Sequence, residues 1–303
     1  MSGSNEMRSK RMFFVAGITG RVGGAAARRL LQEGRKLRAL AREPDRAEEW
    51  RRLGVEVRRG DFDDPAAVAD ALQGVEGAFL MLPPILTPAP DFAEARATIA
   101  SFREALRRSP PRRLVVLSSI GSQRTSGLGL ITGTRLLEQA LADAPFPTAF
   151  VRAASFVENA ARSLEAAAAS GWFDSFRAPT DRPAPTVATT DIGAEVARLL
   201  IAEWNGKRVI ELGSPASPDD IARAMSEATG RPVRARAIPR EQWSATLIAH
   251  GFPPGATWAC EQMEDGFNSG WIAFGDPGAE PVAATTPPAE VFANVWRGRA
   301  SAR

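Results

Sequence analysis

The sequence predicts a doubly wound α/β fold, in which helices cover both faces of a parallel sheet. In the first half of the chain, short apolar segments alternate with segments of helical periodicity. A glycine-rich turn also joins the first apolar segment, Phe13–Ala16, to the first helical one, Val22–Gln32. Because parallel strands are joined by crossovers of a dozen or more residues, this alternation indicates right-handed βαβ units.

Each element of the first half follows from its local pattern. The predicted strands are Phe13–Ala16, Leu37–Ala41, Val55–Val57, Ala78–Leu82, Leu114–Leu117 and Thr148–Val151. The predicted helices between them are Val22–Gln32, Ala47–Leu53, Pro65–Leu72, Phe92–Leu106 and Thr134–Leu141. Gly34 is placed to end the first helix, and Pro65 to begin the third.

The chain changes character after residue 152, where prolines and glycines crowd the segments 179–185, 251–255 and 275–288. A helix at 191–202 and a strand at 208–212 are predicted to return to the main sheet. We therefore expect one domain from residues 11–152 and 187–213, and a smaller lobe from residues 153–186 and 214–303. Residues 1–10 are polar, and we interpret them as a mobile tail.

Composition excludes several classes of protein. The 303 residues are 44% hydrophobic and 24% charged, which is typical of a soluble globular protein. The net charge is only +3 and acidic residues are interspersed among the arginines, so we expect no nucleic-acid surface. No apolar run approaches the roughly 20 residues of a membrane span, and no signal-peptide core is present at the start. Cys260 is the only cysteine, which fits a reducing cytoplasm.

The spacing Gly17-x-x-Gly20-x-x-Gly23, between a predicted strand and a predicted helix, indicates a dinucleotide-binding turn. Glycines let the backbone approach a pyrophosphate closely, and the N–H groups at the helix start face its negative charge. The alternative interpretation is a plain glycine-rich turn.

Five segments in this order resemble the NmrA-like branch of the atypical short-chain dehydrogenase/reductases. They are Val-Ala-Gly-Ile-Thr-Gly-Arg-Val-Gly at 15–23, Leu-Arg-Ala-Leu-Ala-Arg-Glu-Pro at 37–44, Gly-Asp-Phe-Asp-Asp at 60–64, Leu-Ser-Ser-Ile-Gly at 117–121 and Val-Arg-Ala-Ala-Ser-Phe-Val-Glu-Asn at 151–159. With weaker matches further on, the resemblance covers residues 12 to about 240.

The resemblance implies a set of cofactor-binding residues. The pyrophosphate loop is Gly17, Thr19, Gly20, Arg21, Val22 and Gly23; Asp61 and Phe62 contact the adenine, and Leu82 and Pro83 lie along the cofactor. Ser118 and Ser119 lie near the nicotinamide ribose, and Ala154, Ser155 and Phe156 begin a loop, continuing to Asn159, that lines the nicotinamide and the substrate pocket. Asp61 has the alternative role of a helix N-cap. Phe156 and Asn159 are the pocket candidates.

Arg42 decides the expected cofactor. It follows the second predicted strand, where an NAD enzyme carries an acidic residue for the ribose 2′-hydroxyl. An arginine at this position suits a 2′-phosphate, so NADP(H) is favoured over NAD(H). The alternative is a solvated charge at a helix start.

The chain departs from the family at its acid–base pair. Typical short-chain dehydrogenases carry Tyr-x-x-x-Lys after the fifth strand, but this chain has no tyrosine, and those two positions fall at about Gly129 and Gly133. General acid assistance is worth about 10²- to 10⁴-fold in rate, so we expect poor reduction of simple ketones. Quinone-like and azo acceptors give stable anions that solvent protonates later. The sequence therefore predicts, without assigning a catalytic residue, an NADPH-dependent reductase of such an acceptor.

Two alternative functions stay open. One is a non-catalytic NADP(H)-binding redox sensor that reports to a protein partner, and the other is a reductase or isomerase of a specialised metabolite. No spacing of acidic residues indicates a metal site, and His250 is interpreted as a helix-end residue. Cys260 is interpreted as a small buried hydrophobe. Five aromatic residues either floor a pocket or pack the lobe; they are Trp243, Phe252, Trp258, Phe267 and Trp271.

Overall fold

Within residues 11–300, which this computed structural model describes, eight parallel strands form a central sheet. The predicted tail at 1–10 lies outside the described residues. The strands are β1 (Met12–Val15), β2 (Lys36–Ala41), β3 (Glu56–Arg59), β4 (Gly77–Leu80), β5 (Leu114–Ser119), β6 (Thr148–Ala153), β10 (Lys207–Leu212) and β13 (Glu280–Val282). Their spatial order is β3-β2-β1-β4-β5-β6-β10-β13, and every neighbouring pair is parallel. The doubly wound parallel fold predicted from the sequence is confirmed.

The order of the strands places a crevice beside β1. The chain winds outward through β2 and β3 and then returns to β4 on the other side of β1. Ligands of open α/β sheets bind where the winding reverses, at the carboxyl ends of the strands. The glycine turn follows β1 directly and therefore lies at this crevice.

Strand β13 was not predicted, and it comes from the segment that the sequence analysis assigns to the smaller lobe. It has only three residues, one of them Pro281, and it pairs with β10 at the edge of the sheet. Since proline has no N–H to donate, an edge is where a strand tolerates it. Such a short segment carries no apolar alternation for a sequence pattern to detect.

Twelve α-helices lie within the described residues. They are α1 (Arg21–Gln32), α2 (Glu48–Arg52), α3 (Pro65–Leu72), α4 (Ala93–Arg108), α5 (Thr132–Leu141), α6 (Val157–Ala160), α7 (Leu164–Ser170), α8 (Thr189–Ile201), α9 (Pro218–Thr229), α10 (Trp243–Ala249), α11 (Trp258–Asn268) and α12 (Pro288–Ala300). None of them is long and apolar enough to cross a membrane.

The two faces of the sheet carry separate cores. On one face, β-strand residues pack against α1 and α8, and on the other they pack against α3, α4 and α5. Helices α1 and α8 touch so closely that a Cβ at Gly193 would lie 2.5 Å from the Cβ of Ala25. Glycine is therefore required there by packing.

The remaining strands form two small sheets. Strands β7 (Ser155–Phe156), β9 (Ala184–Val187) and β11 (Ser214–Ala216) form one, and β8 (Trp172–Ser175) and β12 (Arg234–Ala237) form the other. A third apolar cluster, which includes residues of α7, α9 and α12, packs this region. A fourth joins Ile120, Leu128 and Ile131 to Ile272.

A buried ion pair lies at the amino ends of β4 and β5. Arg113 and Glu76 are 7% and 9% exposed, and Nη2 of the arginine lies 3.4 Å from Oε1 of the glutamate. Nη1 of Arg113 also donates to the carbonyls of Leu200 and Ile201, at 3.2 and 3.3 Å, at the end of α8. The pair thus links β4 and β5 to the C-terminus of α8.

Arg113→Met is expected to lower the free energy of unfolding by about 3 kcal/mol, because a buried carboxylate then loses a partner. The loss lies at the low end of the range for broken buried pairs, since Arg11 still contacts Glu76 at 3.1 Å. Urea denaturation measures it as a shift of the midpoint at unchanged slope. Arg112→Met is the control, because Arg112 also contacts Glu76, at 3.6 Å, but its side chain is 75% exposed, so loss of this contact is expected to change the midpoint little. Equal midpoints for the two variants would contradict a structural role for the buried pair.

Candidate functional site

The glycine turn after β1 is tight and depends on two of its glycines for shape. Gly17 has φ +64°, in the left-handed region that favours glycine. The N–H of Gly20 donates to the carbonyl of Gly17 at 2.8 Å. A Cβ at Gly23 would lie 2.3 Å from that same carbonyl oxygen, so the third glycine is required for helix α1 to pack against the turn.

The start of α1 fits an anion. Its N-cap, Gly20, has an extended backbone with no side-chain cap, and no acidic residue lies in the first turn. Thr19, Gly20 and Arg21 are exposed. A Cβ at Gly20 would meet only the Gly17 carbonyl, at 3.2 Å, so this side of the turn is open. Uncapped N–H groups, the helix dipole and an open backbone surface are what a pyrophosphate requires.

Arg42 is exposed at the carboxyl end of β2, and no ion pair or hydrogen bond within residues 11–300 engages it. Strand pairing places Arg59 opposite Ala41, and Arg59 is also exposed. Both arginines therefore lie at the carboxyl ends of neighbouring strands, at this corner of the crevice. Sequence patterns do not indicate Arg59, because only the register of β2 with β3 places it there.

The Asp61–Phe62 segment follows β3. Asp61 is exposed, and its carboxylate accepts a long contact from the N–H of Asp63 at 3.4 Å. The N-cap of α3 is Asp64, whose carboxylate accepts from Ala66 at 2.9 Å, so the alternative N-cap role for Asp61 is wrong. The ring of Phe62 packs edge-on against Phe102 at 5.6 Å, which directs it towards the core.

The segment after β4 borders the glycine turn. The sulfur of Met81 lies 3.0 Å from the position of a Cβ at Gly17, a contact that the sequence did not indicate. Leu82 and Pro83 are both half-buried. Leu82 Cδ1 lies 3.5 Å from the position of a Cβ at Gly133, so the Leu82 side chain packs against α5.

The two serines that end β5 face opposite sides of the sheet. Ser118 is buried, and its hydroxyl donates to Glu138 on α5. Glu138 is held by Arg152 through two hydrogen bonds of 2.9 and 2.8 Å. Ser119 is half-buried and belongs to the α1 side. The Ser118 hydroxyl is therefore committed to a buried ionic cluster.

That cluster extends to the C-terminal segment. Arg152 also donates to Asp276 at 2.7 Å, and Glu211 accepts from the N–H groups of Gly275 and Asp276. Burial lowers the pKa of Arg152, but its hydrogen bonds and charge interactions with Glu138 and Asp276 outweigh burial and raise it. The hydrogen bond from Arg152 lowers the pKa of Asp276. Both groups therefore stay charged.

The loop after β6 lies at the same edge of the sheet. The N–H of Ala154 donates to Leu212 at 3.0 Å, and the Ser155 hydroxyl accepts from Nη2 of Arg177 at 2.6 Å. Phe156 is half-buried and Asn159 is exposed. Arg177 follows β8, and no sequence signal connected it to this loop.

Helix α11 packs against Gly129, the position at which the sequence analysis expects the family's tyrosine. Gly129 has φ +51°, and a Cβ there would lie 1.9 Å from the carbonyl oxygen of Ala259. Its N–H donates to Gln262 at 2.9 Å. Gly133 is less constrained, since its nearest neighbours would lie at 3.5 Å or more. A tyrosine at position 129 is therefore sterically forbidden.

Most of the aromatic candidates pack the fold. Trp243 contacts Phe176 at 5.6 Å, and Trp258 contacts Phe92 at 5.9 Å. Phe267 lies under the guanidinium of Arg177 at 4.0 Å, and Trp271 lies under Arg124 at 4.6 Å. Among these candidates, Phe267 is thus the one connected to the loop after β6, through Arg177.

Two other candidates are not chemical groups of the site. His250 follows the last residue of α10, and its N–H donates to the carbonyl of Thr246 at 3.0 Å, as in a helix-end position. Burial raises the pKa of the Cys260 thiol to about 12, so the thiol stays protonated at neutral pH. The His250 side chain is exposed at the end of a helix, and the Cys260 thiol is buried and neutral.

A groove of about 120 Å³ lies beside Val157 and is lined by Thr186, Ser214 and the segment Thr285–Pro288. Ligand sites for small molecules usually measure about 300–1,000 Å³. The groove is too small for a flat aromatic acceptor, and it does not include the glycine turn.

Comparison with known proteins agrees with this geometry. Residues 17–130 match the family model of NAD(P)H-binding domains. The chain carries an NAD(P)H-binding domain with the fold of the NmrA-like proteins. The resemblance stated from the sequence is confirmed, and the domain supports a nicotinamide dinucleotide as the cofactor.

Three similar proteins extend over the NAD(P)H-binding domain and beyond it. The chain is 26% identical over 299 residues to the NAD(P)H azoreductase of Xenophilus azovorans, covering 96% of this chain and 99% of that protein. The triphenylmethane reductase of Citrobacter sp. superposes with a TM-score of 0.78 at 20% identity, covering 95% and 99% of the two chains. The NADPH complex of an Escherichia coli quinone oxidoreductase gives 0.77 at 24% identity, covering 94% and 100%.

Proposed function

We propose that the protein is an NADPH-dependent reductase that transfers hydride to a quinone-like or azo acceptor without a tyrosine–lysine acid pair. The observation that carries this proposal is the backbone of α11 against Gly129, which leaves no room for a side chain where the sequence analysis expects the acid. The turn after β1 meanwhile has the uncapped helix start that a dinucleotide requires. Relatives whose names specify azo and quinone reduction support it.

Different residues of the chain bind different parts of NADP(H). The backbone from Gly17 to Gly23 holds the pyrophosphate, and Arg42 with Arg59 holds the 2′-phosphate, which favours NADP(H) over NAD(H). Asp61 and Phe62 border the adenine, Leu82 and Pro83 the middle of the cofactor, and Ser119 the nicotinamide ribose. When bound, NADPH supplies a hydride.

The acceptor explains why no acid is needed. A quinone-like or azo compound delocalises the negative charge that it gains, so water can protonate it after the hydride has moved. The protein then has to position the acceptor and exclude side reactions. We infer that residues 153–186 and 214–303, apart from strand β13 in the central sheet, form the substrate lobe, with Phe156 and Asn159 beside the acceptor. We also infer that the protein acts in the cytoplasm.

Turnover separates the enzyme from a redox sensor, the second candidate, which the absence of tyrosine from the chain favours. A small quinone is expected to oxidise NADPH catalytically, seen as loss of the reduced nicotinamide absorbance, whereas simple aliphatic ketones are not reduced. Phe156→Ala and Asn159→Ala are expected to change this rate more than the affinity for NADPH. Asn205→Ala is the control, because Asn205 is exposed just before β10, at the opposite edge of the sheet.

Two results would contradict the proposed function. Failure of every quinone and azo compound, with NADPH binding intact, favours the redox sensor. In that case NADP⁺ and NADPH have to differ in affinity or stabilise different conformations, because a ligand shifts an equilibrium only through differential binding. Brisk reduction of simple ketones would instead show that a proton donor exists elsewhere in the chain.

A further inference from the structure

Arg177 is a largely buried cation beside the loop after β6, and the reaction proposed above does not yet use it. Its side chain is 19% exposed. Its backbone N–H donates to the Ser175 hydroxyl at 3.0 Å, and its Nη2 donates to the Ser155 hydroxyl at 2.6 Å. The guanidinium carbon lies 4.0 Å from the centre of the Phe267 ring. Contacts from two other segments of the chain, the loop after β6 and helix α11, therefore fix the orientation of the guanidinium.

The charge of Arg177 is only partly balanced. Glu264 is its one carboxylate partner among the described residues, and the Nε–Oε2 distance is 3.4 Å. Charge-assisted hydrogen bonds are usually about 2.7–2.9 Å long, so this contact is weak. The other acidic residues of α11 are engaged elsewhere, since Glu261 and Asp265 both pair with Arg240.

The unused donors give Arg177 a capacity to bind a ligand. A guanidinium has five N–H donors, and the described contacts engage one at Nε and one at Nη2. Its lower face rests on Phe267, and a planar cation of this kind also stacks on flat conjugated molecules. Because neighbouring residues already orient the group, little reorganisation is needed when a negative charge forms beside it.

We propose that Arg177 binds the oxygen-bearing or anionic end of a flat acceptor and holds the negative charge that the acceptor gains. This inference rests on the proposed reductase function and names the group that substitutes for the absent acid pair. The acceptor takes one hydride as the cofactor is oxidised, and becomes an anion. Its oxygen or nitrogen then takes one proton from water, which gives the neutral reduced product.

The test is a binding measurement without turnover. Protein saturated with NADP⁺ is titrated with 2-hydroxy-1,4-naphthoquinone, which is an anion at neutral pH, and with its neutral 2-methoxy analogue, by quenching of tryptophan fluorescence. Wild type is expected to bind the anion more tightly. Arg177→Met is expected to weaken binding of the anion roughly 10- to 100-fold, the range of one charge-assisted hydrogen bond, and to change binding of the methoxy compound little.

Two further variants identify the charge as the cause. Arg177→Lys is expected to retain part of the preference for the anion. Glu264→Gln removes the neighbouring negative charge and is expected to strengthen binding of the anion, an effect opposite to that of a merely structural loss. Arg236→Met is the control, since Arg236 also lies over an aromatic ring, 5.5 Å from Trp172, but pairs with Asp174 on the small β8–β12 sheet.

The outcomes are distinguishable from those of the proposed function. If wild type binds no NADP⁺, the proposed function fails. If wild type binds NADP⁺ and Arg177→Met binds the anion as tightly as wild type does, only the role of Arg177 is overturned. The same conclusion follows if wild type binds NADP⁺ but shows no preference for the anion. If Arg177→Met does not fold, Glu264→Gln decides alone: unchanged or weaker binding of the anion overturns the proposal, and tighter binding supports it.

Discussion

Gly20→Val is expected to abolish NADPH binding and to leave the fold intact. The N–H groups at the start of α1 are uncapped, and the backbone at Gly20 is open towards the crevice. A branched side chain there separates the backbone from a pyrophosphate. Loss of two charge-assisted hydrogen bonds corresponds to a decrease in affinity of about 10²- to 10⁴-fold. Calorimetric titration with NADPH measures the decrease, and a thermal melt checks the fold.

Gly23→Ala supplies the contrast within the same turn. Its Cβ would lie 2.3 Å from the carbonyl oxygen of Gly17, so we expect a large loss of thermal stability rather than a selective loss of binding. Gly20→Val therefore tests the contact with the ligand, and Gly23→Ala tests the packing of the turn. A Gly20→Val variant that folds and binds NADPH at wild-type strength would show that the motif is only a turn.

Arg42→Ala is expected to lower the affinity for NADPH by roughly 10- to 100-fold, because one charge-assisted contact to the 2′-phosphate is lost. The affinity for NADH is expected to change little, since NADH lacks that phosphate. Arg59→Ala is expected to have the same direction and a smaller effect, because Arg59 lies one strand further out. Calorimetric titration of each variant with both cofactors measures the preference.

Arg46→Ala is the matched control for this prediction. Arg46 is exposed in the same segment, but it lies 3.6 Å from Glu43 and is not at the end of β2. It is expected to bind both cofactors as wild type does. Equal affinity of the wild type for NADPH and NADH would contradict the assignment of Arg42 to the 2′-phosphate.

The part of the fold predicted best from the sequence is the part specified by local signals. The glycine spacing after β1 and the helical periodicity of α1 lie within about twenty residues, so both are readable without tertiary information. The start of α5 was placed at Thr134 instead of Thr132, because the preceding turn of 3₁₀ helix at Gly129–Ile131 has no periodicity of its own. The candidate site residues at or after the ends of β3, β4, β5 and β6 came from the family resemblance, not from local patterns.

The contacts that sequence reasoning missed are tertiary. Arg59 ends the strand next to the one that Arg42 follows, through the register of β2 with β3, and Met81 lies against Gly17 through the pairing of β1 with β4. Arg177 lies beside Ser155, although 22 positions separate them. The Gly129 position was identified as lacking a catalytic group, but only the structure shows that α11 occupies the space.

The buried cluster around Arg152 has a consequence for modularity. The carboxylate of Asp276 and strand β13 come from beyond residue 213, yet both complete the dinucleotide-binding sheet. A chain cut after β10 would expose that strand as a bare edge, which promotes association between copies. It would also leave Arg152 short of one counter-charge, which lowers stability. The nucleotide-binding half is therefore not a portable unit, and fusions or transplants of it have to carry residues 275–282 along.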